Sequence, residues 1–455
     1  MLTPKPTQGD SSWFVHDRLG LFIHWGLYAL PARHEWIKNI EELSDEEYQL
    51  YFEQFNPTLY DPEQWARTAK EAGMKYVVLT TKHHEGFCLW DTQFTDYKVT
   101  NTPYGKDLLS SFVEAFRAAG IRIGLYYSLL DWHHPDFTID IHHSQRNLEN
   151  AAELNRARDM SRYTEYMRNQ VRELLTNYGQ IDYLFFDFSY PDWEYKGLPG
   201  KGRNDWESDK MVEMVRGLQP NILLNDRLDL SEAADIHTPE QIQPTQWEHV
   251  DGQPVVWEAC QTFSGSWGYH RDEDSWKSPG QLIRMLVNTV SCGGNLLMNV
   301  GPTARGTWDN RVLEALAAYR DWMTFNGEAI YGCTQSEFIP PQDCRITQNG
   351  KKLYVHVFAW PDRFLFLKGL AGKVKYAQFL HDGSEIDFDD LQAQQTALLG
   401  GQSQVDENEL LDGEDPMSKT KYQLGQFQVN VDTLILILPV KKPDVAVPVV
   451  NLILK

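Results

Sequence analysis

IDYLFFDFSY, Ile181 to Tyr190, is an apolar run that reads as a buried strand and breaks at a carboxylate, Asp187. An acid inside such a run is costly unless something uses it, and in a parallel α/β barrel the substrate waits at the carboxyl ends of the strands. Asp187 is therefore placed for chemistry. The bland alternative is a carboxylate that pairs with a neighbouring Arg or caps the next helix.

Outward from this run, short apolar segments alternate with amphipathic ones from Gly20 to about Tyr331. The expected strands are Leu21–Trp25, Tyr76–Thr81, Ile121–Tyr127, Tyr183–Phe188, Ile222–Leu224, Val255–Trp257 and Asn295–Val300. Between them Pro62–Ala72, Leu108–Ala119, Asp159–Asn177, Lys210–Gly217, Gln281–Val290 and Arg311–Phe325 repeat apolar residues at helical spacing. The pattern predicts the α/β class and an irregular (β/α)8-like TIM barrel with one or two units missing.

After about Phe338 the texture changes. LYVHVFAW, RFLFLKGL, YAQFLHDG, YQLGQFQVNV and DTLILILPV are strand-like runs divided by Gly, Asp and Pro, which predicts a C-terminal antiparallel β-sandwich. The expected division is a catalytic barrel over 1–337 and a sandwich over 338–455. Gln392–Gln404 and the acidic segment after it read as a long surface loop.

With 64 acidic against 42 basic residues the formal charge is −22, which opposes binding to nucleic acid or anionic membrane and suits a neutral substrate. The 15 Trp and 21 Tyr offer flat faces that stack on sugar rings as well as fill cores. Cys88, Cys260, Cys292, Cys333 and Cys344 are odd in number and contain no CxxC, so neither a disulfide framework nor a zinc knuckle is indicated. The first residues lack the pattern of a secretory signal, and no apolar stretch is long enough to span a bilayer. A cytoplasmic protein is expected, and a homo-oligomer is left open.

The strand ends carry the chemistry. LFIHWG supplies His24, Glu35 and Trp36 follow in the next loop, and TTKHHEGF supplies His83 and His84. Several imidazoles beside an aromatic and a carboxylate suit a pocket that grips hydroxyl groups. An adjacent His pair points opposite ways on an extended strand, and no HxH or HExxH spacing occurs, so no metal or other cofactor is expected. LLNDRLDL offers Arg227, DIHTPEQ offers Glu240 in a loop, Trp257-Glu258 stand at another strand end, and Trp267 follows in SWGYHRDED. Glycoside hydrolysis needs two carboxylates about the scissile bond. Asp187 supplies one, and Glu240 or Glu258 the other. A positive Arg227 beside Asp187 is expected to keep that carboxylate ionised. GxSxG, P-loop and GxGxxG signatures are absent from the sequence.

WFVHDRLGLFIHWGLYALPARHEW, KYVVLTTKHHEGFCLWDT, IGLYYSLLDWHHP, IDYLFFDFSY, LLNDRLDL, DIHTPEQ, WEACQTFSGSWGYHRDE, GGNLLMNVGPTARG and FNGEAIY follow one another in this order. Together they resemble the retaining α-L-fucosidases, glycoside hydrolase family twenty-nine, across roughly residues 12 to 335. The resemblance implies an exo-acting enzyme that releases terminal α-L-fucose from fucosylated oligosaccharides or glycoconjugates through a fucosyl-aspartate. It implies Asp187 as nucleophile, with His24, Glu35, Trp36, His83, His84, Tyr126 and Arg227 around the sugar and Trp267 beside it. The acid/base it implies is Glu240, with Glu258 as the alternative. Phe185 stands where a relative carries Trp, which keeps an apolar face and drops the indole N–H. Two other readings remain at this point, a retaining glycosidase for another sugar such as α-galactose and a non-catalytic fucose-binding barrel. The C5 substituent separates the sugars, because a methyl needs an apolar wall, for which Phe185 and Trp267 are candidates, and a hydroxymethyl needs a polar partner.

Overall fold

A computed structural model describes residues 2–390 and 432–455. The YQLGQFQVNV run and the expected Gln392–Gln404 loop, with the acidic segment after it, lie outside the described residues. The chain divides into two compact units, Leu2–Gly332 and Cys333–Lys455.

The first unit is built on seven parallel strands: β1 Leu19–Ile23, β2 Tyr76–Lys82, β3 Arg122–Ser128, β4 Tyr183–Asp187, β5 Leu223–Leu224, β6 Glu258–Thr262 and β7 Asn295–Val300. They form one curled, TIM-like sheet in the order β6-β7-β1-β2-β3-β4-β5. Every residue of β1, β2, β4, β6 and β7 is buried, as expected of a parallel sheet covered on both faces.

The two edges of this sheet are joined by a segment the sequence gives no sign of. Asn225 pairs with Ile236, His237 with Trp257 and Glu240 with Cys260, all in parallel. The Ile236 amide donates to Leu224 O at 3.1 Å, the His237 amide to Val256 O at 2.9 Å and the Gln241 amide to Cys260 O at 3.0 Å. Ile236 to Glu240 thus acts as an eighth stave. It is short and polar and contains Pro239, which cannot donate to a ladder, so neither length nor alternation marks it as a strand.

Six helices return the chain between strands: α1 Pro62–Glu71, α2 Leu108–Ala118, α3 Met160–Asn177, α4 Ser208–Leu218, α5 Pro279–Ser291 and α6 Asn310–Asn326. Asp61, Asp107, Asp159 and Asp309 each accept a first-turn amide, and Ser278 with Gln281 forms a capping box at α5. Turns follow β5, and a short hairpin, His249–Val250 with Gln253–Pro254, follows the stave. These are the irregular units of the barrel.

Among the described residues the second unit has a five-stranded and a three-stranded antiparallel sheet. Its strands are β8 Thr334–Gln335, β9 Cys344–Asn349, β10 Lys352–Val357, β11 Phe364–Lys368, β12 Val374–Phe379, β13 Asp387–Asp390, β14 Thr433–Ile437 and β15 Val449–Leu454. The orders are β8-β9-β10-β15-β12 and β11-β14-β13. Leu353, Val355, Leu434, Leu436, Val450 and Leu452 from both sheets share one core, which makes a sandwich. The chain enters this unit earlier than residue 338, because Thr334 and Gln335 already pair with Gln348 and Thr347.

Candidate active site

Asp187 is the last residue of β4, and Phe188 follows it with φ 77°, a left-handed backbone that is strained for a bulky residue. The sharp turn leaves Asp187 and the Phe188 ring lining the same cavity. The Tyr126 hydroxyl donates to Asp187 Oδ2 at 2.8 Å, and Arg227 Nη1 donates to Oδ1 at 3.2 Å. Burial pushes the Asp187 carboxyl up to about 6, against the downward pull of Arg227 and with a further push from Glu240. Arg227 pulls the carboxyl down as expected and leaves it ionised at neutral pH, but desolvation is the larger effect and holds it above its ordinary value.

Arg227 holds a second carboxylate. Its Nη2 donates to Glu240 Oε2 at 3.0 Å, so one guanidinium joins Asp187 to Glu240 through neighbouring nitrogens. Glu240 rides on the eighth stave, paired to Cys260, where a loop is expected from the sequence. The two acids differ in exposure, with side chains 12% and 41% accessible for Asp187 and Glu240. One is enclosed and the other meets water, yet both line the cavity.

Three histidines complete the polar wall. Asn299 Nδ2 donates to Trp267 O at 2.6 Å, which fixes the amide so that Oδ1 faces His24 Nδ1, also at 2.6 Å. His24 must then carry its proton on Nδ1 and keep Nε2 as an acceptor. His84 Nδ1 lies 2.7 Å from Ser128 Oγ, whose own proton goes to Leu130 O at 3.0 Å, so the same tautomer follows. Burial and the neighbouring imidazoles hold both rings well below the ordinary histidine range, hence neutral. His83 Nδ1 stands 3.4 Å from Glu85 Oε2. The expected opposition of His83 and His84 does not occur. The β2 register breaks between Thr80 and Lys82, the chain turns after His83, and the two rings end 3.9 Å apart on the same cavity.

Next to this polar wall, Phe22 and Trp267 pack against His24 and form an apolar wall with Phe185. Phe22 lies 5.2 Å from Phe185 and 6.0 Å from Trp267, centroid to centroid. Tyr126 stacks on Phe185 at 5.8 Å, and Trp36 closes the rim edge-on to His84 at 5.0 Å. Glu35 sits behind the lining, accepting the amides of Trp267 at 3.2 Å and Gly268 at 2.8 Å. It anchors the loop that carries Trp267. That loop lies directly on the end of β7, because Gly301 has no Cβ to overlap the Tyr269 amide.

The Alpha-L-fucosidase family model matches residues 4–328. This chain belongs to the alpha-L-fucosidase family. It is a glycoside hydrolase by that membership. Among solved structures it is similar to alpha-L-fucosidase isoenzyme 1 from Paenibacillus thiaminolyticus, at 42% identity and a TM-score of 0.84 over 98% of each chain. A family-29 alpha-L-fucosidase from Bacteroides thetaiotaomicron, described as a trapped covalent intermediate with 2-fluoro-fucosyl fluoride, is 29% identical with a TM-score of 0.79, covering 100% of this chain and 98% of that one. The plasma alpha-L-fucosidase of Homo sapiens is 29% identical over 388 residues, 77% of this chain and 76% of that protein.

Glu258 is set apart from the other family-implied residues. It opens β6 instead of closing a strand, is wholly buried, and receives the hydroxyls of Tyr76 and Tyr183, the latter at 3.2 Å. Tyr183 opens β4, so this layer lies about 13 Å below Asp187 at a rise of about 3.3 Å per residue. Burial pushes Glu258 up to about 8. It is a floor residue of the barrel. Sequence reasoning missed Asn299, Ser128, Phe22 and Phe188. Asn299 and Ser128 are polar residues at the ends of apolar strands, the same signal that marks Asp187. Among the described residues no group of three or more His, Cys, Asp or Glu is arranged to hold a metal ion.

Proposed function

We propose that this enzyme releases terminal α-L-fucose from fucosylated glycans with retention, using Asp187 as nucleophile and Glu240 as acid/base. The observation that carries the assignment is the Arg227 fork, which ties one enclosed and one water-facing carboxylate to a single cavity. In the first step Asp187 forms a bond to the anomeric carbon while the glycosidic C–O bond breaks and Glu240 gives its proton to the departing oxygen. In the second, Glu240 takes a proton from water, whose oxygen attacks the anomeric carbon and frees Asp187. Enclosure suits the group that must exclude water while it bonds, and exposure suits the group that must meet aglycone and water in turn.

The sugar is chosen by the two walls. His24 and His84 present ring nitrogens as acceptors for hydroxyl donors, and Phe22, Phe185 and Trp267 provide an apolar face for the C5 methyl. A galactose hydroxymethyl would lose its water against that face without gaining a partner. The position of Glu258, sealed between two tyrosines, supports the choice of Glu240 as the acid/base. The same reading sets the enzyme in the cytoplasm, in keeping with five buried thiols. The test is turnover of aryl α-L-fucosides and α-D-galactosides with the product anomer followed by NMR. Release of α-L-fucose as the first-formed anomer, with little galactosidase activity, is expected. A first-formed β-anomer would overturn retention.

A further inference from the structure

Arg227 holds two carboxylates in one relation, yet it follows a strand of only two residues. What fixes its plane lies outside the cavity. Arg227 Nε donates to Thr238 Oγ1 at 3.1 Å, and Nη2 donates to the main-chain oxygen of the same residue at 3.0 Å. The Thr238 hydroxyl has one proton, and it goes to Asp226 Oδ1 at 2.5 Å. An ionised carboxylate only accepts, so the direction of that hydroxyl is unique and its lone pair must face Arg227. Asp226 Oδ2 in turn accepts from His237 Nδ1 at 2.6 Å. Burial pushes Asp226 up, and the His237 bond with the charge of Arg227 outweighs it, so the carboxyl stays below its ordinary value.

Asp226 and Arg227 are neighbours at the end of β5, and His237, Thr238 and Glu240 are close neighbours on the stave. Two short segments therefore clasp each other through His237 and Thr238, and the Thr238 side chain, the one that reaches Arg227, is buried and absent from the cavity wall. A planar guanidinium pinned on its Nε edge and at both Nη atoms has one orientation, whereas one held by two carboxylates alone follows whichever moves.

We propose that the Asp226–Thr238 pair is the positioning unit that aims the Arg227 fork and thereby sets how Asp187 and Glu240 face the sugar. The inference rests on the reading of Asp187 and Glu240 as the catalytic pair. Neither Asp226 nor Thr238 touches substrate, so both act through Arg227.

The test is Thr238→Val, which keeps the shape and the main-chain contact and removes only the hydroxyl. With an aryl α-L-fucoside, kcat is expected to fall roughly 10- to 100-fold with KM within about threefold, the loss typical of one bond to a charged group. The charged and titratable groups facing Asp187 are Arg227, Glu240, Tyr126 and His83, and His24, His84 and Cys260 line the same cavity. A fork that swings away relaxes its downward pull, so the acidic limb of the kcat/KM profile should move towards neutral pH. Thr238→Ser restores the hydroxyl and should recover most of the loss and the original limb. If the Val variant does not melt as one cooperative unit, Asp226→Asn carries the test, since it removes the charge that orients the hydroxyl and should move kcat and the limb in the same directions. An active wild type with an indifferent Thr238→Val, in both kcat and pH limb, overturns this inference alone. A wild type without fucosidase activity overturns the functional reading and this inference with it.

Discussion

Asp187 and Glu258 are two buried carboxylates in one barrel, and their difference shows what makes an acid useful. Desolvation raises both, Asp187 to about 6 and Glu258 to about 8. Asp187 has a guanidinium and a phenol as partners and an open cavity in front of it. Glu258 has two phenols, which donate hydrogen bonds but bring no charge. At neutral pH the first is an anion with room for a sugar, and the second is a neutral acid with no access. Burial alone therefore selects neither role. The charged partner sets the protonation state, and the position along the strand sets the access.

The most severe way to break this comparison is to remove each acid in turn. Asp187→Ala should lower kcat by about three orders of magnitude or more while leaving the melting curve cooperative, because the bond-forming atom is gone and the fold is not. Azide or formate should restore part of the rate with an inverted product by standing in for the carboxylate. Glu258→Gln should stay within about threefold of wild type, as expected of a packing residue far from the chemistry. Collapse of activity in the Gln variant together with survival in the Ala variant would reverse the roles.

Removing the water-facing acid should give an effect that depends on the leaving group. Glu240→Ala should slow natural fucosides by about 10²–10⁴-fold, and nitrophenyl fucosides far less, because a nitrophenolate leaves without a proton. Azide should attack the fucosyl-aspartate in this variant and give an α-fucosyl azide, with retention. Equal losses across leaving groups would remove Glu240 from the acid/base role.

A smaller effect sharpens the electrostatic half of the comparison. Asp187 must be ionised to attack, and its carboxyl is raised to about 6, so kcat/KM should fall as pH drops through about 6. An acidic limb near 4, the ordinary value, would mean that burial does not govern this group.

The fold was legible where the physics is local and periodic. β2, β4 and β7 are apolar runs, and α1, α2, α3 and α6 begin at Asp caps, so strand and helix positions follow from the sequence within a few residues. The eighth stave was not, since its pairing is supplied from both sides by β5 and β6 and nothing in its own residues demands extension. The same limit hid parts of the site. Asp187 shows itself as an acid in an apolar run. The convergence of His83 and His84 depends on a register break in β2, and the seat of Glu35 depends on a loop more than two hundred residues away. β6 begins three residues later than its apolar signal, and that offset moves Glu258 from a strand end to the barrel floor.

The last prediction concerns stability, where Glu258 should matter although it is idle in turnover. Its folded value of about 8 lies above the ordinary 4.5, so the protonated form is the one the fold favours. A carboxyl raised in this way contributes stability that is fully present below about 4.5 and is lost as pH rises through about 8. Above that, the floor of the barrel holds an uncompensated anion between Tyr76 and Tyr183. Glu258→Gln keeps the shape and cannot ionise. Its melting temperature should match wild type near pH 5 and exceed it by several degrees near pH 9, a difference on the order of a few kcal/mol. The contrast with Asp187 gives the prediction its edge, because Arg227 offsets part of the burial there and nothing charged does so for Glu258. If the two melting curves stay parallel from pH 5 to pH 9, Glu258 ionises freely in the folded protein, and the sealed floor that distinguishes it from Asp187 is wrong.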